Sequence, residues 1–317
     1  MTPPTIIQAA CACLLFVGCF AMWIRVILRY RRHGDVIEIE PRTEPAWCLA
    51  DLFVVLSVLL LCQWTGAQLV RLAGITLEGS LSELAPRERI LFLLIDSGSK
   101  LVTVAVSLGI IRLRSGFSLA TLGITTHRLT YDLRLGACTF LLVAPLALLV
   151  QVVTTLFHES SHPLAEILKQ EPDAGFILMG TFSAVITAPI AEEYAFRGLL
   201  QGLFERFSVG KYTASDPILG MSLKPNVDAE DNAPEPTESE IAAKKNFQPP
   251  LWPVIASSIL FALVHYNHGP DWIALIVFAL GLGYVTRCTG RLLPAITAHM
   301  MLNTWSIIML VLKLVSE

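Results

Sequence analysis

The chain has 317 residues, 54% hydrophobic and 15% charged, with a net charge of −3, where soluble domains carry roughly 25% charged residues. With a mean hydropathy of +0.62, it cannot present an ordinary water-facing surface. No Lys/Arg stripe with interleaved aromatics appears, so nucleic acid is not an expected partner.

Length alone would suggest about two soluble domains, but the apolar runs overrule that count. A helix crossing a bilayer needs about 20 mostly apolar residues. Eight runs qualify: about 5–28, 46–66, 89–111, 134–156, 175–203, 251–267, 271–288 and 291–313. The expected fold class is all-α, a polytopic membrane helix bundle of about eight transmembrane helices. The first run has no basic segment before it and no small-residue cleavage site after it. Arg25, Arg29, Arg31 and Arg32 follow instead, the pattern of a retained anchor with its tail outside. With that start, the cytoplasmic connections hold roughly 15 Lys/Arg and the outer ones roughly 5, as the positive-inside rule requires. The expected location is the cell membrane, multi-pass, with the N-terminus outside.

Two connections are long. Residues 157–174 read as an outer loop with a short amphipathic stretch at Leu164–Leu168. Residues 208–250, with runs such as Asp228-Ala229-Glu230-Asp231-Asn232, hold too little apolar surface to fold alone. They read as a polar, disordered cytoplasmic insertion, a linker or a regulatory segment. Seven cysteines, Cys11, Cys13, Cys19, Cys48, Cys62, Cys138 and Cys288, lie in or beside apolar runs. No CxxC or zinc spacing joins them, and they read as small buried hydrophobes.

Ionisable groups inside spans are costly and mark either function or a paired structural role. In the fifth run, Glu192 and Glu193 are adjacent and Arg197 lies four residues after Glu193. Glu193 and Arg197 share a helix face and can pair. Glu192, rotated by about 100° from Glu193, is left for a partner on another helix. A desolvated carboxylate suits a general base working near neutrality; an inter-helix ion-pair network would use the same residues. Late in the sixth run, His265 falls four residues after Phe261, with Tyr266, Asn267 and His268 at the membrane edge. In the last run, His299 and Asn303 stack at i, i+4, able to hold a water or an oxyanion, or to link helices. Asp96 and Lys100 form a separate i, i+4 pair that reads as self-neutralising, and Asp51 reads as interfacial.

These three motifs resemble the CPBP family, the CAAX-protease and bacteriocin-processing or Abi family that includes the Ras-converting CAAX endopeptidases. Its pattern of EExxxR, FxxxH and HxxxN, each on its own helix, is met in order by Glu192-Glu193…Arg197, Phe261…His265 and His299…Asn303. The flanks Phe196-Arg197-Gly198-Leu199-Leu200, Gly283-Tyr284, Thr289-Gly290 and Leu122-Gly123-Ile124 are similar too. The resemblance covers about residues 115–313. It implies variable transmembrane helices over 1–114 and a catalytic membrane domain over 115–317, interrupted by the insertion.

The resemblance implies intramembrane endopeptidase activity. Glu192, assisted by Glu193, would activate a water that His265 orients. His299 and Asn303 would stabilise the oxyanion, with Arg197 and Phe261 in support. The substrate would be a membrane protein or lipidated peptide. Zinc on Glu192, His265 and His299 is one mechanism the family's classification allows. With no HExxH present, a metal-free glutamate mechanism is favoured here. Two other readings stand beside the peptidase: a scaffold or bacteriocin-immunity-type protein using the polar network structurally, and a transporter with a proton-coupled carboxylate. A transporter would call for paired repeats or broken helices, and neither is evident in the sequence.

Overall fold

The computed structural model describes residues 3–42, 47–72, 83–116, 118–157, 173–208 and 249–316, with isolated positions 45, 74, 75, 81 and 167. Most of 157–174, and all of the insertion from 209 to 248, lie outside the described residues, as does the side chain of His268. Among the described residues there is no strand. The architecture is a helix bundle, as its composition requires: α1 (Pro3–His33), α2 (Leu49–Leu72), α3 (Pro86–Ser115), α4 (Leu129–Thr155), α5 (Ala174–Phe207), α6 (Trp252–Leu263), α7 (Asp271–Thr289) and α8 (Leu293–Ser316). Seven of these helices are long and apolar enough to cross a membrane. The chain is a multi-pass membrane protein.

The helix ends follow local chemistry. Pro86 opens α3, where its missing N–H costs nothing, and Glu88 reaches back to the Ala85 N–H at 3.0 Å. Asp173 caps α5 by accepting from the Phe176 N–H at 2.7 Å. Gly116 and Gly290 end α3 and α7 in the left-handed conformation, with φ of 71° and 67°.

Large side chains face outward where lipid would be. Leu14, Phe20 and Leu60 are 72%, 70% and 69% exposed, a state that water would reject and hydrocarbon accepts. Inside, α4, α7 and α8 pack through Phe140, Ala144, Ala147, Phe278, Leu282, Ala295 and Ala298. The alanines let backbones approach closely, and dispersion rather than water exclusion then drives association. The Leu122-Gly123-Ile124 loop docks on the α7–α8 turn, where the Leu292 N–H donates to the Gly123 carbonyl at 2.9 Å. Gly123 is obligatory there: its φ is +83°, and a Cβ would stand 3.0 Å from the Gly290 carbonyl oxygen.

The structure corrects or refines the sequence expectations at four places. The run 251–267 does not form a spanning helix. It is helical only over the 12 residues of Trp252–Leu263, about 18 Å at 1.5 Å per residue. A turn containing Gly269-Pro270 then reverses the chain, because Pro270 disfavours helix in the residue before it. Asp51, at the start of α2, is buried, gripped by Arg114 at 2.9 and 2.7 Å and capping the Cys48 N–H. Cys19, Cys48 and Cys288 are buried, but Cys13 is exposed on α1. And α5 is not regular. Two π-helical turns, Ser183–Thr187 and Tyr194–Leu200, flank the segment Ala188–Glu193. Asp96 and Lys100 do pair, at 2.6 Å.

Candidate active site

The two π turns bracket the acidic pair, the kind of irregularity that recurs at functional sites. The first has a local cause. The Ala188 N–H reaches back five residues to the Ser183 carbonyl, and position 189 is proline, with no N–H to give. The helix is thereby widened just before Glu192 and Glu193.

Both carboxylates converge on one imidazole from α8. His299 Nδ1 donates to Glu193 Oε1 at 2.8 Å, and its Nε2 lies 3.8 Å from Glu192 Oε2. Glu193 is wholly buried, and its second oxygen lies 3.1 Å from Arg197 Nε. Neither of those two atoms has a directed hydrogen bond, so this contact is charge against charge. The Arg197 guanidinium also stacks over Phe261 at 4.4 Å and donates to the Ala279 carbonyl at 3.4 Å. Phe261 and Phe278 present edges and faces to His299 at centroid separations of 5.8 and 6.2 Å. Glu193, Arg197 and Phe261 thus form one stack of carboxylate, cation and ring.

His265 follows the end of α6, where carbonyls lack helical partners. Its Nδ1 lies 2.9 Å from the Phe261 carbonyl. A carbonyl only accepts, so Nδ1 carries the proton and Nε2 of the neutral ring is an acceptor. Asn303, one turn after His299, donates through Nδ2 to the Ala184 carbonyl at 2.7 Å.

Glu192, His265, His299 and Asn303 all line one cavity of about 460 Å³ between α4, α5, α7 and α8. Glu193 does not line it. The rest of the wall is mostly apolar, including Leu148, Leu275, Leu302 and Leu310. Gln151 and Asp271, hydrogen-bonded at 3.1 Å, close the cavity where the end of α4 meets the start of α7. Among the described residues no three His, Cys, Asp or Glu side chains are arranged to hold a metal ion. As they stand, Glu192, His265 and His299 are not gathered into a zinc ligand set.

Sequence reasoning missed a belt of ion pairs where α5, α7 and the loops before α2 and α4 meet. Arg291 binds Asp132 at 2.8 Å and both oxygens of Glu40. Arg42 binds Glu205 at 2.6 Å, and Gln201 bridges Glu205 to the Gly283 carbonyl. A polar cavity of about 310 Å³ runs among them as far as Arg197. Only the conjunction of charges near span ends could have signalled this belt, because its partners lie 159 and 251 residues apart.

Fold and site together define a polytopic membrane protein with a polar Glu/His/His/Asn cluster enclosed among its helices. A family model described as type II CAAX prenyl endopeptidase Rce1-like matches residues 232–305. The match takes in Phe261, His265, His299 and Asn303 and stops short of Glu192. No curated protein and no solved structure matches the chain. Over residues 232–305 the chain is thus similar to the CAAX-protease-like family of membrane peptidases.

Proposed function

We propose that this protein is an intramembrane endopeptidase in which Glu192 is the general base. The observation that carries the reading is the half-buried Glu192 carboxylate, facing His299 across 3.8 Å in a cavity that also holds His265. Glu192 takes a proton from water as the water oxygen adds to the peptide carbonyl carbon. The acceptor Nε2 of His265 holds the other O–H of that water. Protonated His299, neutralised by Glu193 from behind, donates through Nε2 to the oxyanion, with the second N–H of Asn303. The tetrahedral intermediate collapses as Glu192 returns its proton to the leaving amine. Glu193, out of the cavity, positions His299 rather than touching substrate.

We assign the chemistry to residues 115–317, the site to the cell membrane, and the N-terminus to the outside. The substrate is a membrane protein or lipidated peptide, and the family description makes prenylated CAAX ends the first to try. The test compares membrane-protein termini by proteomics in cells carrying wild-type or Glu192→Gln protein. Termini present with the wild type and lost with the variant are expected, and lost likewise in His265→Ala and His299→Ala. An unchanged set would sink the reading. Cleavage of the substrate so found should survive exhaustive chelation; its loss, restored by zinc, would replace the metal-free mechanism. Orientation is checked by adding a membrane-impermeant protease to intact cells: an N-terminal tag should be digested, and one inserted at residue 230 protected.

A second reading has one observation in its favour. The π turns of α5 and the short α6 are departures from regular spanning helices, and proton-coupled transporters also depart from them, through discontinuous helices. Proton-driven uptake in proteoliposomes, lost in Glu192→Gln while protein termini stay unchanged, would establish it.

A further inference from the structure

We infer that Asn303 is a positioning residue: its side-chain amide stands in for the N–H that Pro189 lacks, and so fixes the wide turn that leads into the segment bearing Glu192. This deepens the peptidase reading and rests on it for its catalytic part.

Counting carbonyls gives the case. In a regular α-helix the Ala184 carbonyl would accept from the N–H of residue 188, and in a π turn from that of residue 189. The Ala188 N–H is already committed to the Ser183 carbonyl. Residue 189 is Pro189, which has no N–H. Both helical registers thus leave the Ala184 carbonyl without a backbone donor. An unpaired carbonyl in a membrane interior is costly. Asn303 Nδ2 meets it at 2.7 Å, from the facing helix α8. The acceptor also settles which way the amide is turned, since only the NH2 end can bond a carbonyl.

The geometry around this bond gives it a consequence for the site. Asn303 and His299 lie one turn apart on α8, and Ala184 and Glu192 lie eight residues apart on α5. Two links therefore tie the same pair of helices: Asn303 to Ala184, and His299 to Glu193 and Glu192. The first holds the wide turn in register, and the register decides whether Glu192 faces His299. Of the two amide hydrogens of Asn303, one is spent on this task and one remains for the cavity.

The experiment restores the missing donor elsewhere. Pro189→Ala supplies an N–H at the position from which a π turn would satisfy Ala184. Four full-length proteins are compared: wild type, Asn303→Ala, Pro189→Ala and the double variant. Hydrogen exchange by mass spectrometry, in detergent, reads peptides covering 183–193. Exchange there should rise at least tenfold in Asn303→Ala and return toward wild type in the double variant. In cells, the Glu192-dependent termini should fall at least tenfold in Asn303→Ala and recover at least partly in the double variant. A residue needed only to contact the oxyanion would not be rescued by a change on another helix. Asn303→Asp, which cannot donate, should behave as Asn303→Ala in both readouts. The inference is overturned if exchange over 183–193 is unchanged in Asn303→Ala, or if the double variant is no better than Asn303→Ala in both readouts. If instead exchange follows the expected pattern while Glu192→Gln changes no termini, the peptidase reading fails and the structural link stands.

Discussion

Glu192 and Glu193 are the same side chain in adjacent positions, and their surroundings divide their work. Glu193 is sealed between Arg197 and His299, while Glu192 opens to the cavity. The i, i+4 relation of Glu193 to Arg197 was legible in the sequence, and with it the singling out of Glu192. The hydrogen bond from His299 to Glu193 was not, because it joins residues 106 apart and no local period encodes it. The buried pair also makes a stability prediction. Arg197→Met takes the guanidinium from the buried Glu193 and leaves it only the His299 hydrogen bond, a change that costs about 3–5 kcal/mol. The melting temperature in detergent should fall accordingly, and the Arg197→Met, Glu193→Met double variant should recover part of the loss. A double variant as unstable as the sum of the two singles would show that the pair is not coupled.

At the scale of elements, spans were readable because hydropathy integrates over many residues, and seven of the eight appear as long helices. Register was not readable. Pro189 was visible in the fifth run, but hydropathy does not record which carbonyl a missing N–H leaves behind. The sixth run was over-read for a related reason: Val264, His265 and Tyr266 continue the apolar pattern past the last helical turn. The connections hold their own chemistry. Glu40, in the loop between α1 and α2, lies outside the spans, and its hydrogen bond from Arg291 keeps its carboxyl below the usual value of 4.5. A carboxyl lowered in the folded state stabilises fully above its unfolded value and loses that contribution as pH falls through its folded value. Wild type should therefore melt above Glu40→Gln by a constant margin from about pH 8 down to about pH 5.5, with the margin shrinking below about pH 4.5. A margin that widens with acid would contradict the assignment. The same Arg291 ties Asp132 of α4 to the start of α8, so the belt fastens the starts of these two helices to each other.

For the whole molecule, the feature with the widest reach is the short α6. Its 12 residues cover about 18 Å of a hydrocarbon layer about 30 Å thick, and the turn bearing His265 follows at once. One corner of the bundle is thus shorter than the lipid around it. Lipids beside it must compress or tilt, at a cost of fractions of a kcal/mol per Å of mismatch. Such thinning would bring headgroups and their water closer to the level of His265. On the proposed peptidase reading, the bilayer would then be part of the water supply of the site, and its thickness a control on rate. Reconstituted in phosphatidylcholines of increasing acyl length, the protein should cleave its substrate fastest in the thinner membranes, with kcat falling as the chains lengthen. A rate indifferent to chain length would mean that water reaches Glu192 by another route, for which the polar cavity ending at Arg197 is the place to look.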